Sequence, residues 1–75
     1  MDHPLRKFRK AKGTTLKQFA DAVGSTPSGV HRWETGVNMP TVPMLQKILV
    51  ATGGKITPVA MFKAYFAINS EELVA

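Results

Sequence analysis

Four times along this chain a glycine closes an apolar-periodic stretch, and a threonine soon afterwards opens the next. The glycines stand at 13, 24, 36 and 53–54, and the threonines at 15, 26, 41 and 57. Glycine accepts the left-handed backbone that ends a helix, and a threonine hydroxyl caps the open N–H groups that begin one. Thr26-Pro27 and Thr57-Pro58 add proline at the first helical position, where its missing N–H costs nothing, and Pro43 sits in the first turn of its own segment. This punctuation predicts helices at 3–12, 16–23, 27–35, 42–52 and 58–68. No alternating run is long enough to build a sheet, and only Lys55-Ile56-Thr57 reads as a short extended stretch. The expected fold class is all-α, a compact five-helix bundle in one domain over 1–69, with a frayed tail at 70–75.

Periodicity assigns the faces. In the second segment Leu16, Phe19, Ala20 and Val23 recur at helical spacing and form a buried stripe. Leu45, Ile48, Leu49 and Thr52 do the same in the fourth. In the first, Leu5 and Phe8 share a side with Lys12, and Arg9 stands at the edge of that side. The third differs. Val30, Trp33 and Glu34 point one way, while Ser28, His31, Arg32 and Thr35 point the other and offer only hydroxyl, imidazole and guanidinium groups. Only Gly24-Ser25-Thr26 separates this helix from the one before it. A helix, a short glycine-containing turn and a second helix with a polar outer face is the layout of a helix-turn-helix.

Composition narrows the partner. The chain has 75 residues, no cysteine and a formal charge of +5. Disulfides and cysteine zinc sites are therefore excluded, and the lack of thiols fits a reducing cytoplasm. All ten basic residues fall between Arg6 and Lys63, where only Asp21 and Glu34 oppose them. Such an excess favours a polyanion: DNA, RNA or an acidic membrane surface. A membrane-spanning helix is not expected, because Lys47, Lys55 and Lys63 interrupt every apolar run of about 20 residues.

The segment from Thr15 to Gly36 carries a Phe19-Ala20 pair ahead of Gly24. It ends Val30-x-x-Trp33-Glu34-x-Gly36 and is followed by Pro40-Thr41. In this combination, over about residues 5–52, the chain resembles the phage-repressor/Cro (XRE-type) helix-turn-helix family. The resemblance implies a lambda-repressor-like five-helix domain whose third helix enters the major groove of double-stranded operator DNA, usually as a dimer. It also implies a scaffold ion pair between Arg9 and Glu34. Pro27, Ser28 and Arg32 match base-facing positions, and His31 lies beside them. Arg32 is the foremost of these, since guanidinium to guanine is the commonest specific contact. Thr26 and Asn38 match phosphate-contacting positions; Lys10, Lys17 and Thr35 complete the expected phosphate set. Many members carry a glutamine in the first turn of the second helix, which clamps a phosphate and braces a reading side chain. Leu16 stands there instead, so Lys17 is expected to supply phosphate affinity. The basic cluster Arg6, Lys7, Lys10 and Lys12 is expected to reach the backbone in part.

The last segment is apolar nearly all round. Val59, Phe62 and Phe66 form one face and Met61, Tyr65 and Ile68 an opposite one, with Lys63 the single charge between Pro58 and Ile68. One face serves the domain's own core and the other is left for a partner. The expected use is a homodimer through 58–68, with Met61, Tyr65 and Ile68 at the interface. The expected protein is thus a dimeric, sequence-specific transcription regulator of the cytoplasm and nucleoid, a small Cro-like repressor acting by steric block of a promoter. The alternative is the DNA-binding antitoxin of a toxin–antitoxin pair. No catalytic group, metal, cofactor, membrane contact or small-molecule effector is expected, since the chain has no glycine-rich phosphate loop, metal-ligand cluster or nucleophile–base pair.

Overall fold

The computed structural model describes residues 3–74, with side chains described as far as Ser70. Among these residues there are five helices and no strand: α1 (Pro4–Ala11), α2 (Leu16–Val23), α3 (Pro27–Glu34), α4 (Val42–Ala51) and α5 (Pro58–Val74). Each begins on a side chain that fills donors its first turn leaves open. The hydroxyls of Thr15, Thr26, Thr41 and Thr57 accept from the N–H groups of Gln18, Gly29, Met44 and Ala60 at 3.1–3.4 Å. At α2 the cap is reciprocal, because Gln18 Oε1 accepts the Thr15 N–H at 2.9 Å. Gly24, at φ 72°, then closes α2 in the left-handed conformation.

Packing draws on every element. The largest fully buried side chains are Leu5, Val23, Val30, Ile48 and Met61, one from each helix. Each such side chain contributes about 1.5–3 kcal/mol of burial. Helix α3 packs chiefly on α2 and also on α1, while α5 lies across α1 and α4. The stripe of α4 buries Leu45, Ile48 and Thr52 and leaves Leu49 half-exposed. Residues Lys55-Ile56-Thr57 form no strand. Ile56 turns into the core, and its N–H donates to Thr52 Oγ1 at 3.1 Å.

Two expectations about the last helix are corrected. First, α5 continues past 68 to Val74, since nothing after Pro58 interrupts it: no glycine or further proline follows. The frayed tail expected at 70–75 lies mostly outside the described side chains. Second, Met61, one of the three residues expected at the interface, is turned into the core, at 1% exposure. Tyr65 is half-buried, and Ile68 lies against Gly36 while still 37% exposed. Val59, Phe62 and Phe66 are more open, at 61%, 47% and 54% exposure. An apolar surface on nearly all sides gives periodicity no phase, and only the burial of Met61 and Ala64 shows which side faces inward. No helix among the described residues is long and apolar enough to cross a membrane.

Helix α1 is capped by a titratable group. The buried Nδ1 of His3 accepts the Leu5 N–H at 3.0 Å, which requires that nitrogen to be unprotonated. Burial pushes the His3 imidazole below its ordinary pKa, and the nearby Glu34 carboxylate opposes part of that shift. A histidine held low in the folded state contributes stability above the ordinary value near 6.5, and loses it as pH falls through the folded value. Thermal melts are therefore expected to show stability dropping below about pH 6.5. His3→Asn, which keeps a capping oxygen, should flatten that drop. An unchanged pH profile in this variant would remove His3 from the account.

Candidate nucleic-acid interface

The amphipathic division of α3 builds the site. Val30, Trp33 and Glu34 are buried, whereas Pro27, Ser28, His31, Arg32 and Thr35 are exposed along the outer side. Among the described residues no carboxylate pairs with Arg32, so its guanidinium keeps its donors for a ligand. Ser28 lies one turn away, and a shallow cleft lined by Leu16, Pro27, Ser28, His31 and Arg32 joins this face to the start of α2.

Glu34 fixes the helix from behind. Arg9 Nε donates to Glu34 Oε2 at 2.8 Å and Nη2 to Oε1 at 3.1 Å, a two-pronged pair whose side chains are only 13% and 3% exposed. Arg9 Nη1 also donates to the Thr14 carbonyl at 3.0 Å, so one guanidinium ties α1, the turn before α2 and α3 together. Hydrogen bonding to Glu34 raises the Arg9 pKa above its already high value, with burial acting against it. All three nitrogens of this guanidinium serve structure, whereas Arg32 makes no ion pair among the described residues.

The expected phosphate set is scattered around this face. Thr26 Oγ1 accepts the Gly29 N–H at 3.1 Å, so its oxygen caps α3 while its proton remains available to a phosphate. Thr35 donates back to the His31 carbonyl at 2.9 Å, which engages its hydroxyl proton within α3. Asn38 is exposed and, with Arg32, Thr41 and Met44, lines a cleft between the end of α3 and the start of α4. Lys17 reaches Asp21 at 3.6 Å, but both are well exposed and such a pair is worth only about 0.3–0.5 kcal/mol. Lys10 is exposed on α1 and lines none of these clefts.

Arg6 stands out from the basic cluster. It lines a cleft with Leu16, His31 and Thr35 whose floor is the Arg9–Glu34 pair. Since that pair is internally neutral, Arg6 supplies the net positive charge there. The signal was present in the sequence: Arg6 lies three residues before Arg9, hence on the same side of α1, yet only the buried partner of Arg9 reveals that this side meets α3. At the place of the phosphate-clamping glutamine, Leu16 is half-buried and packs on the core, and Gln18 is committed to the α2 cap. The face therefore combines a free guanidinium, hydroxyls, an imidazole and surrounding cations on a rigid helix. That is the chemistry that reads base edges and neutralises phosphates.

No curated protein and no solved structure matches the chain. A helix-turn-helix family model matches residues 5–59, from the start of α1 to the first two residues of α5. That span holds the turn between α2 and α3, the buried anchor Trp33 and the Arg9–Glu34 pair together. The chain thus belongs to the Cro/C1-type (XRE) helix-turn-helix family, as a DNA-binding transcription regulator of that type.

Proposed function

We propose that this protein is a small Cro-like repressor that binds a roughly palindromic operator as a homodimer, with α3 in the major groove. The observation that carries the reading is the exposed outer face of α3, with Ser28, His31 and Arg32 in no ion pair among the described residues, set on a buried Val30/Trp33/Glu34 back. Arg32 reads guanine, Ser28 and His31 lie against neighbouring base edges, and Pro27 packs at the entry of the helix. Thr26, Asn38, Lys10, Lys17 and Arg6 take phosphates, helped by the Ser28 N–H in the first turn of α3, whereas Thr35, expected in this set, has its proton on the His31 carbonyl. With few side chains reading directly, DNA shape contributes to the choice of site. Occupancy of a site overlapping a promoter blocks polymerase. No small-molecule effector enters the scheme, and the protein works in the cytoplasm on the nucleoid.

The second copy docks on α5 through Val59, Phe62 and Phe66. Phe62 and Phe66 stack at 6.4 Å, so the exposed face presents one continuous aromatic surface. A two-fold contact of this kind places two α3 helices about 34 Å apart, one turn of DNA. Footprinting on the DNA upstream of the gene tests the whole reading: protection of a two-fold symmetric site is expected, and no protection of any duplex at low salt would end it. Sedimentation at tens of micromolar tests the dimer. Phe62→Ser is expected to weaken it at least about tenfold, because each subunit loses an aromatic side chain whose burial is worth about 1.5–3 kcal/mol. A wild-type chain that stays single both free and on DNA would refute the dimer. The same α5 face occupied by a toxin, in place of a second copy, is the outcome that would favour an antitoxin.

A further inference from the structure

We infer that Asn69 is a positioning residue that sets the angle of the recognition helix against the dimer axis, and thereby the half-site spacing the protein accepts. The inference rests on the dimeric reading above. Helix α3 ends on Gly36, whose N–H donates to the Trp33 carbonyl at 3.3 Å, while the Val37 N–H donates to the Arg32 carbonyl at 2.9 Å. Gly36 has φ 75°, and a Cβ there would lie 2.5 Å from Ile68 Cγ2. The end of the recognition helix is thus shaped to receive α5. The next residue of α5 locks the contact: Asn69 Nδ2 donates to the Gly36 carbonyl at 3.1 Å and to the Tyr65 carbonyl at 2.9 Å. One amide bridges two elements 33 residues apart in sequence.

These two contacts differ in kind. Ile68 on Gly36 is apolar and permits sliding, whereas the Asn69 bond is directional and fixes one rotation of α5 about the end of α3. Within the two turns before it, the same helix carries Phe62 and Phe66 outward. A helix rises 1.5 Å per residue, so a second copy seated there lies only about 4–10 Å along α5 from the clasp. In a two-fold dimer any change of angle in one protomer is repeated in the other, so the distance between the two α3 helices changes twice over. Inserting one base pair moves the half-sites by about 3.4 Å and a tenth of a turn. A pair of reading helices discriminates against that change only if each is held to a smaller error.

The test uses the palindromic duplex that the wild-type chain selects from a random pool. It is compared with the same duplex lengthened or shortened by one central base pair, and with a duplex carrying one half-site. Wild type is expected to prefer its own spacing by about tenfold or more, since linked binding disappears when geometry forbids simultaneous engagement. Asn69→Ala removes the donor. Asn69→Asp keeps the shape but sets a carboxylate against two carbonyls. Both are expected to reduce the preference to about threefold or less, with single half-site affinity within about twofold of wild type and the dimer retained in sedimentation. Variants that keep the full spacing preference, or that weaken all duplexes in parallel, would overturn the role. A wild-type chain that selects no palindrome or sediments only as a monomer would instead remove the dimeric reading on which it rests.

Discussion

Replacing Glu34 with alanine is expected to lower the melting temperature by at least about 15 °C, before any question of DNA binding arises. The carboxylate is 3% exposed and takes two hydrogen bonds from a guanidinium that is itself only 13% exposed. Removing one member of such a pair leaves the other as an uncompensated buried charge, at a cost of about 3–5 kcal/mol. A small domain has on the order of 5 kcal/mol to lose. Arg9→Ala should be at least as damaging, since it also strips the Thr14 carbonyl of its donor and leaves Glu34 charged against the core. The double replacement Arg9→Met with Glu34→Leu supplies the decisive comparison. Apolar side chains of similar volume leave no stranded charge, so the double variant is expected to melt above either single alanine variant. Should Glu34→Ala melt within about 3 °C of wild type, the pair contributes no more than an exposed one, and its role as the back support of α3 fails.

The contrast between α3 and α5 shows which physical features the sequence made legible. In α3 the division is chemical as well as periodic: an indole, a branched aliphatic and a single acid on one side, nothing but polar groups on the other. Either side could be placed without knowing any partner. In α5 both sides are apolar, and the choice between Met61 and Phe62 as core residues depends on which side meets α1 and α4, helices distant in the sequence. No local pattern contains that information. The helix ends were readable because glycine and threonine act locally, through φ and through a capping oxygen. The α5 end was not, because Val74 lies past any stop signal and the helix simply continues. Arg6 falls between these cases. Its spacing from Arg9 is local, but its value comes from the cleft that α1 makes with α3. His3 was hidden for another reason: a histidine cap uses a nitrogen where the usual caps use oxygen.

Arg32→Ala is expected to change what the protein recognises more than whether it folds. The side chain is exposed and unpaired by any carboxylate among the described residues, so its removal leaves no buried group unsatisfied and the melting temperature should hold. On the selected operator each guanine contact is worth about 1–3 kcal/mol of discrimination, and a two-fold site loses two of them, about 30-fold to 10⁴-fold in preference. Lys10→Ala and Arg6→Ala have the opposite signature. A cation on a phosphate carries no sequence information, so both variants should weaken every duplex alike. Each should also flatten the plot of log affinity against log salt by about 0.9 for every phosphate left without its cation. The two α1 residues are also separable from each other. Arg6 lines the cleft shared with His31 and Thr35, whereas Lys10 lines none of the three clefts described above. The larger change in slope is therefore expected for Arg6→Ala. Selection from a random pool and binding at three salt concentrations measure both effects in one set of variants. If Arg32→Ala leaves affinity and preference unchanged, the outer face of α3 is not the reading face. If Arg32→Ala weakens all sequences equally and Arg6→Ala alters preference, the two arginines have exchanged roles, and the cleft between α1 and α3 is where bases are read.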